Sequence, residues 1–133
     1  MAVKLAGRLE ANQAYATGKF IGMSPQKVRL VVDLVRGKRA LDALTLLRFT
    51  PKAAAQPVSK VIASAVANAT ENKQLNVNEL FVERIWVDGG PIRQWRRFAA
   101  RGRFRPLQRK SCHISVIVSE TAEENKAAAK EGA

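Results

Sequence analysis

The feature that most constrains this chain is a long gap in its acidic residues. Between Asp88 and Glu120 there is no Asp or Glu, yet eight basic side chains occur: Arg93, Arg96, Arg97, Arg101, Arg103, Arg105, Arg109 and Lys110. Runs of β-formers flank the gap. Leu80 to Val87 carries Phe81, Val82, Ile85, Trp86 and Val87, while Ile114, Val116 and Val118 alternate against Ser115 between His113 and Val118. Asp88-Gly89-Gly90 has the residues of a tight turn, but no second strand follows promptly. The pattern therefore predicts two paired strands joined by about 22 residues, too long for an ordinary hairpin loop. Kept extended, about 11 residues on each side at about 3.3 Å per residue project about 35 Å. A body of this size has a radius of gyration of about 13 Å. The arm's apolar residues, Ile92, Trp95, Phe98, Phe104 and Leu107, are too scattered among arginines to form a core. Such an arm is expected to be floppy when free and held in place by a polyanion.

The rest of the composition agrees. The 133 residues carry 23 Lys and Arg against 11 Asp and Glu, a net charge of +12 with a pI near 10.7. The partner this implies is nucleic acid first and an anionic membrane surface second. A second basic cluster, Lys27, Arg29, Arg36, Lys38 and Arg39, surrounds the single acid Asp33. With 47% hydrophobic residues the chain has enough apolar surface to collapse, which excludes a disordered polyelectrolyte. Its apolar runs fall far short of the roughly 20 residues needed to span a bilayer, so no membrane insertion is expected. Lys4, Arg8 and Glu10 interrupt the start, against a secretory signal. A single cysteine, Cys112, excludes an internal disulfide and fits a reducing compartment.

Along the chain, residues 1–13 lack a period and read as a loose arm, and 14–119 as a single RNA-binding domain. Tyr15, Thr17, Phe20 and Ile21 mark a short strand over 14–21 with Gly18 inside it. Ser24 and Pro25 predict a helix start by side-chain capping and a proline at the first position. Val28, Val31, Val32 and Val35 form its apolar stripe, and Gly37 its close, with Arg36 set against the negative helix end. A second helix is predicted over 41–49 on the stripe Leu41, Leu44 and Leu47. Thr50-Pro51 predicts a third start, with Ala54, Val58, Val61, Ile62, Ala65 and Ala69 facing inward. Pro57 means either a kink or a start near that point. Asn72-Lys73-Gln74 marks the end, and 120–133, rich in Ala, Glu and Lys, reads as a flexible tail.

Arginine suits the arm's task because its planar guanidinium binds phosphate bidentately and stacks on bases. Trp95, Phe98 and Phe104 are interleaved with the arginines as flat surfaces for unstacked bases. Arg101-Gly102-Arg103 adds a glycine that lets backbone approach a phosphate. The arm has no helical period for a major groove, which favours RNA over duplex DNA. A generic solvated basic loop or a membrane-surface patch is the plainer reading of the same charges. An enzyme lacks candidates. His113 is the only histidine, and as a strand neighbour of Cys112 it points to the opposite face, so the two form neither a dyad nor a chelate. No zinc set is available, and Gly37-Lys38 lacks the rest of a phosphate loop, so no cofactor or metal is expected.

One stretch, Met23-Ser24-Pro25-Gln26-Lys27-Val28-Arg29-Leu30-Val31-Val32-Asp33-Leu34-Val35-Arg36-Gly37-Lys38, closely resembles the first-helix signature of the large-subunit ribosomal protein twenty-two family. Leu47 to Ala54 and Ser64 to Ala69 resemble its middle helices. Val87-Asp88-Gly89-Gly90-Pro91, Ala100-Arg101-Gly102-Arg103 and Arg109-Lys110-Ser111-Cys112-His113-Ile114 resemble its arm and returning strand. The resemblance covers about residues 14–120, and bacterial or organellar versions fit better than cytosolic eukaryotic ones. It implies an α+β body of three helices packed on a small three-stranded antiparallel sheet, with a long protruding β-hairpin over 87–113. It further implies binding to 23S-type large-subunit ribosomal RNA, a role in subunit assembly, and a hairpin tip lining the nascent-peptide tunnel. The implied partners are that RNA, neighbouring ribosomal proteins and the nascent chain, in the cytoplasm and without homo-oligomers.

Pro91 and Arg93 match the family's hairpin start, Arg97 to Arg103 its tip, Arg109 and Lys110 its basic pair before the return, and Lys27 and Arg29 its first-helix pair. The implied tunnel-lining residues are Arg97, Phe98, Ala99, Ala100 and Arg101. His113 joins the RNA-binding set with Arg36, Lys38, Arg39 and the hairpin's Trp95, Arg96, Gly102, Phe104 and Arg105. Three stretches depart from the family pattern: Gln94-Trp95 stands where Lys-Arg is frequent, Phe98-Ala99-Ala100 where Pro-Arg-Ala is usual, and Gln26 replaces an arginine. A free-standing basic RNA- or DNA-binding regulator is the competing reading, and a small RNA-modifying enzyme the third.

Overall fold

The computed structural model describes residues 9–120. In chain order these form β1 (Gln13–Ile21), α1 (Pro25–Val35), α2 (Ala40–Phe49), α3 (Ala55–Lys73), β2 (Leu80–Gly89), β3 (Arg93–Phe98), β4 (Phe104–Arg109) and β5 (Cys112–Glu120), with short 3-10 turns at Val77–Glu79 and Ala100–Gly102. One sheet has the order β1-β5-β2, with β5 antiparallel to both neighbours; β3 and β4 pair antiparallel as a separate ribbon. This is the α+β architecture expected, with the hairpin leaving the sheet between β2 and β5. Residues 1–8 of the expected arm and 121–133 of the expected tail lie outside the described residues.

The helices pack as their apolar spacing dictates, with local corrections. In α1 the stripe Val28, Val31, Val32 and Val35 is buried, and Pro25 occupies the first turn. Ser24 sits at the cap position but its hydroxyl makes no capping bond; its carbonyl accepts from the N–H groups of Lys27 and Val28. Gly37 follows the helix at φ +76, a conformation few residues besides glycine adopt cheaply. Arg36 does not cover the helix end as expected. Its guanidinium donates to Asp33 at 2.7 Å and to the Ile85 carbonyl at 3.2 Å.

α2 is rotated from the predicted stripe. Ala40, Ala43 and Leu47 face inward, Leu44 is half-buried and Leu41 is exposed. The small side chains let this helix lie close to its neighbours, which leucines at those positions would prevent. Thr50 closes α2 rather than starting the next helix: its hydroxyl donates to the Leu46 carbonyl at 2.8 Å and its N–H to that of Leu47. α3 begins at Ala55, so Pro57 falls in the first turn, where an N–H has no partner within the helix. Ala54, Val58, Val61, Ile62, Ala65 and Ala69 are all buried.

The core lies between the helices and one sheet face, built from Ala14, Ala16, Leu80, Val82, Ile85, Val87, Ile114, Val116 and Val118. β5 is the middle strand and is the most thoroughly covered. A Cβ on Gly18 would come within 2.6 Å of Val61, so only glycine lets α3 seat this close to β1.

Candidate nucleic-acid interface

The β3–β4 register decides what each face of the hairpin carries. Arg93 opposes Arg109, Trp95 opposes Leu107 and Arg97 opposes Arg105; the alternate pairs are Gln94 with Gln108, Arg96 with Pro106 and Phe98 with Phe104. Because directly opposed residues share a face, Arg93, Arg97, Arg105 and Arg109 all stand on one side, around Trp95 and Leu107. The other side is aromatic towards its end. Phe98 and Phe104 meet at 5.2 Å between ring centroids, and the Arg96 guanidinium lies 5.9 Å from the Phe104 ring. Like charges directly opposite one another destabilise a strand pair. Among the described residues the ion pairs are Arg36–Asp33 and Arg84–Glu83, both in the body, so nothing compensates the hairpin's opposed arginines.

At the tip, Arg101 and Gly102 take successive left-handed conformations (φ 59 and 69), and the Ala99 N–H donates to the Arg103 carbonyl at 2.8 Å. Arg97, Phe98, Ala99, Ala100 and Arg101 occupy this end, where Phe98 is 88% exposed. At the root the ribbon is clamped. The Gly90 N–H donates to the Ser111 carbonyl at 2.9 Å, and the Ser111 hydroxyl to the Pro91 carbonyl at 2.6 Å. A Cβ on Gly90 would strike Ser111 at 2.5 Å. Cys112, next in the chain, is fully buried, and burial pushes its thiol pKa upward.

The second basic cluster lies along the outer edge of β2. Arg29 donates to the Val87 carbonyl at 3.1 Å and Arg36 to that of Ile85. Gly37 N–H donates to the Val82 carbonyl, and Val82 N–H to that of Lys38. Arg39 forms a bridge with Phe81 and sets its guanidinium 5.8 Å from that ring. Arg29, Arg36 and Arg39, read from sequence as RNA contacts, thus also touch the body, and all three stay exposed at the surface, as do Lys27 and Lys38. The strand nevertheless joins the clusters. From Phe81 to Val87 its edge is lined by basic residues and leads into the hairpin root.

His113 is occupied as well: its Nδ1 accepts the Phe20 N–H at 3.0 Å, and its ring meets that of Phe20 edge-on at 4.9 Å. Phe20, an ordinary strand residue by its sequence, has an unusual setting here. It lies in a β-bulge, where Lys19 and Phe20 together oppose His113, takes φ +56, and is 68% exposed beside the hairpin root. Arg48, Lys52 and Lys60 line a cleft between α2 and α3, a basic grouping that their separate spacings in sequence do not reveal. No cluster of metal-ligating side chains occurs among the described residues.

Residues 16–119 match the family described as ribosomal protein L22p/L17e. The chain belongs to this family. Large ribosomal subunit protein uL22 of Desulfitobacterium hafniense strain Y51 is 46% identical to it over 111 residues, covering 84% of this chain and 97% of the relative. The uL22 of strain DSM 10664 / DCB-2 matches with the same identity and coverage. The chain is therefore an L22-family protein of bacterial type, a structural ribosomal family rather than an enzyme family.

Proposed function

We propose that this L22-family protein is a structural component of the bacterial large ribosomal subunit, where it binds 23S-type ribosomal RNA. The hairpin threads between RNA segments, and the basic edge of β2 rests on RNA at the body. The observation that carries this reading is the pair of opposed arginine couples, Arg93 with Arg109 and Arg97 with Arg105, on one face without an acid. Phosphates are the natural counter-charge: each guanidinium offers a planar fork of donors, and displaced counterions favour the complex. In this reading the RNA-facing hairpin residues are those expected from sequence, Arg93 to Lys110, and the tip from Arg97 to Arg101 lines the tunnel beside the nascent chain. The protein assists subunit assembly as a single copy beside neighbouring ribosomal proteins, in the cytoplasm.

The experiment is sedimentation of a native lysate at low and high salt, following this chain by mass spectrometry. Near-stoichiometric retention in the large-subunit peak after the high-salt wash is the expected result. Release to the top of the gradient overturns the reading in favour of a free-standing basic regulator.

A further inference from the structure

We propose that the cleft between the hairpin root and the β1 bulge is a slot for one unpaired nucleotide of the bound RNA, its base against Phe20 and Trp95. This rests on the RNA-binding reading and adds to it a built subsite.

The cleft has a volume of about 500 Å³, within the range of small-ligand sites. Two exposed aromatic residues, Phe20 and Trp95, line it although they come from opposite parts of the chain. Three cations, Arg93, Arg109 and Lys110, line it as well, and no carboxylate does. Flat apolar surface beside guanidinium groups is the chemistry of an unstacked base with its own phosphate. A paired base keeps its faces inside the helical stack and offers none to either ring.

Phe20 is also held there at a conformational cost. A bulky residue at φ +56 is a backbone outlier, fixed here by its N–H bond and its ring contact to His113. The bulge turns the ring out toward the cleft rather than into the core. Trp95 arrives from the arginine face of β3, between Arg93 and Arg97 in the alternation. The Gly90–Ser111 clamp ties the two legs of the ribbon together at its root, and Pro91 and Ser111 line the same cleft as the two rings.

The test measures binding of the full-length chain to deproteinised 23S-type ribosomal RNA across a salt series. Trp95→Leu and Phe20→Gly each lower affinity about tenfold, by loss of stacking, while the log–log salt slope stays that of the parent. Phe20→Gly suits the left-handed backbone, so its body is no less stable to urea than the parent, which separates a stacking defect from a folding defect. In a Trp86→Phe background, Trp95 is the sole tryptophan and its fluorescence is quenched on binding. Affinities within twofold of the parent for both variants, or unquenched Trp95, overturn the slot. If Arg101→Ala with Arg103→Ala still flattens the slope in that case, RNA binding stands without it. Failure of the unsubstituted protein to bind the RNA at low salt overturns the slot together with the reading beneath it.

Discussion

The body and the hairpin use arginine in opposite ways. Along β2, Arg29 and Arg36 each spend a guanidinium N–H on a strand carbonyl, and Arg36 also meets Asp33. On the hairpin, Arg93, Arg97, Arg105 and Arg109 face one another without an acid. The first arrangement is complete within one chain; the second has no counter-charge among the described residues. The apolar residues divide in the same way. Ile62, Ile114 and Val116 are fully buried, whereas Phe98, Trp95 and Phe104 lie more than half exposed. A two-stranded ribbon is at best marginally stable in water. Stability therefore resides in the body, and the binding charge sits on the part that contributes least to it.

The largest expected effect tests the body. Ile62→Ala removes a fully buried side chain beneath the sheet and costs about 2–5 kcal/mol in urea unfolding. Leu107→Ala on the ribbon costs less than about 1 kcal/mol by the same measurement; similar losses from both would erase the distinction. Next comes charge. Arg97→Ala with Arg105→Ala removes one opposed couple, so RNA affinity falls and the salt slope flattens by about 0.9 for each duplex phosphate no longer neutralised. The unbound protein is as stable as before, or slightly more stable, because a repulsion is gone. A stability loss equal to the binding loss would mean that the couple is satisfied within the chain.

Arg29→Ala reverses the roles. It removes a charged donor from the β2 edge and lowers urea stability by about 1 kcal/mol, with a smaller effect on the salt slope than the hairpin couple. The smallest effect concerns Cys112, whose thiol pKa burial raises from its ordinary value of 9.0. Well below pH 9 the thiol is protonated folded or unfolded and contributes no pH dependence. As pH rises through 9.0 the unfolded chain ionises first, so folding stability falls over that window. Comparing urea midpoints at pH 8 and pH 10 for the parent and Cys112→Ala shows the steeper fall in the parent.

Much of this division was legible in the sequence. The valine stripe of α1 and the Ala54 to Ala69 stripe of α3 repeat at helical spacing, and local chemistry settles both. The hairpin was legible because a long stretch with eight basic residues and no acid between two strands has no place in a core. The inward face of α2 was not, since Ala40 and Ala43 are chosen by how close the neighbouring elements come, which no local pattern records. Thr50-Pro51 carries the residues of a helix start, yet the Thr50 hydroxyl is used by the preceding helix. Arg29 and Arg36 read as free charge because their acceptors lie on a strand some fifty residues onward. Phe20 read as an ordinary strand residue because the bulge arises only from the register of β1 on β5.

The covered edge of β2 has a consequence for a copy that has not yet met its RNA. Open edge strands recruit one another, and a pool of unassembled protein with such an edge would grow into fibres or precipitate. Here Gly37, Lys38, Arg36 and Arg29 occupy backbone groups of that edge between Val82 and Val87. Charged side chains beside an edge are one of the devices that disfavour edge-to-edge pairing, and Arg29, Lys38 and Arg39 are exposed there. One edge of the sheet is thereby closed by the chain's own basic residues, and on the proposed reading the same residues serve the RNA.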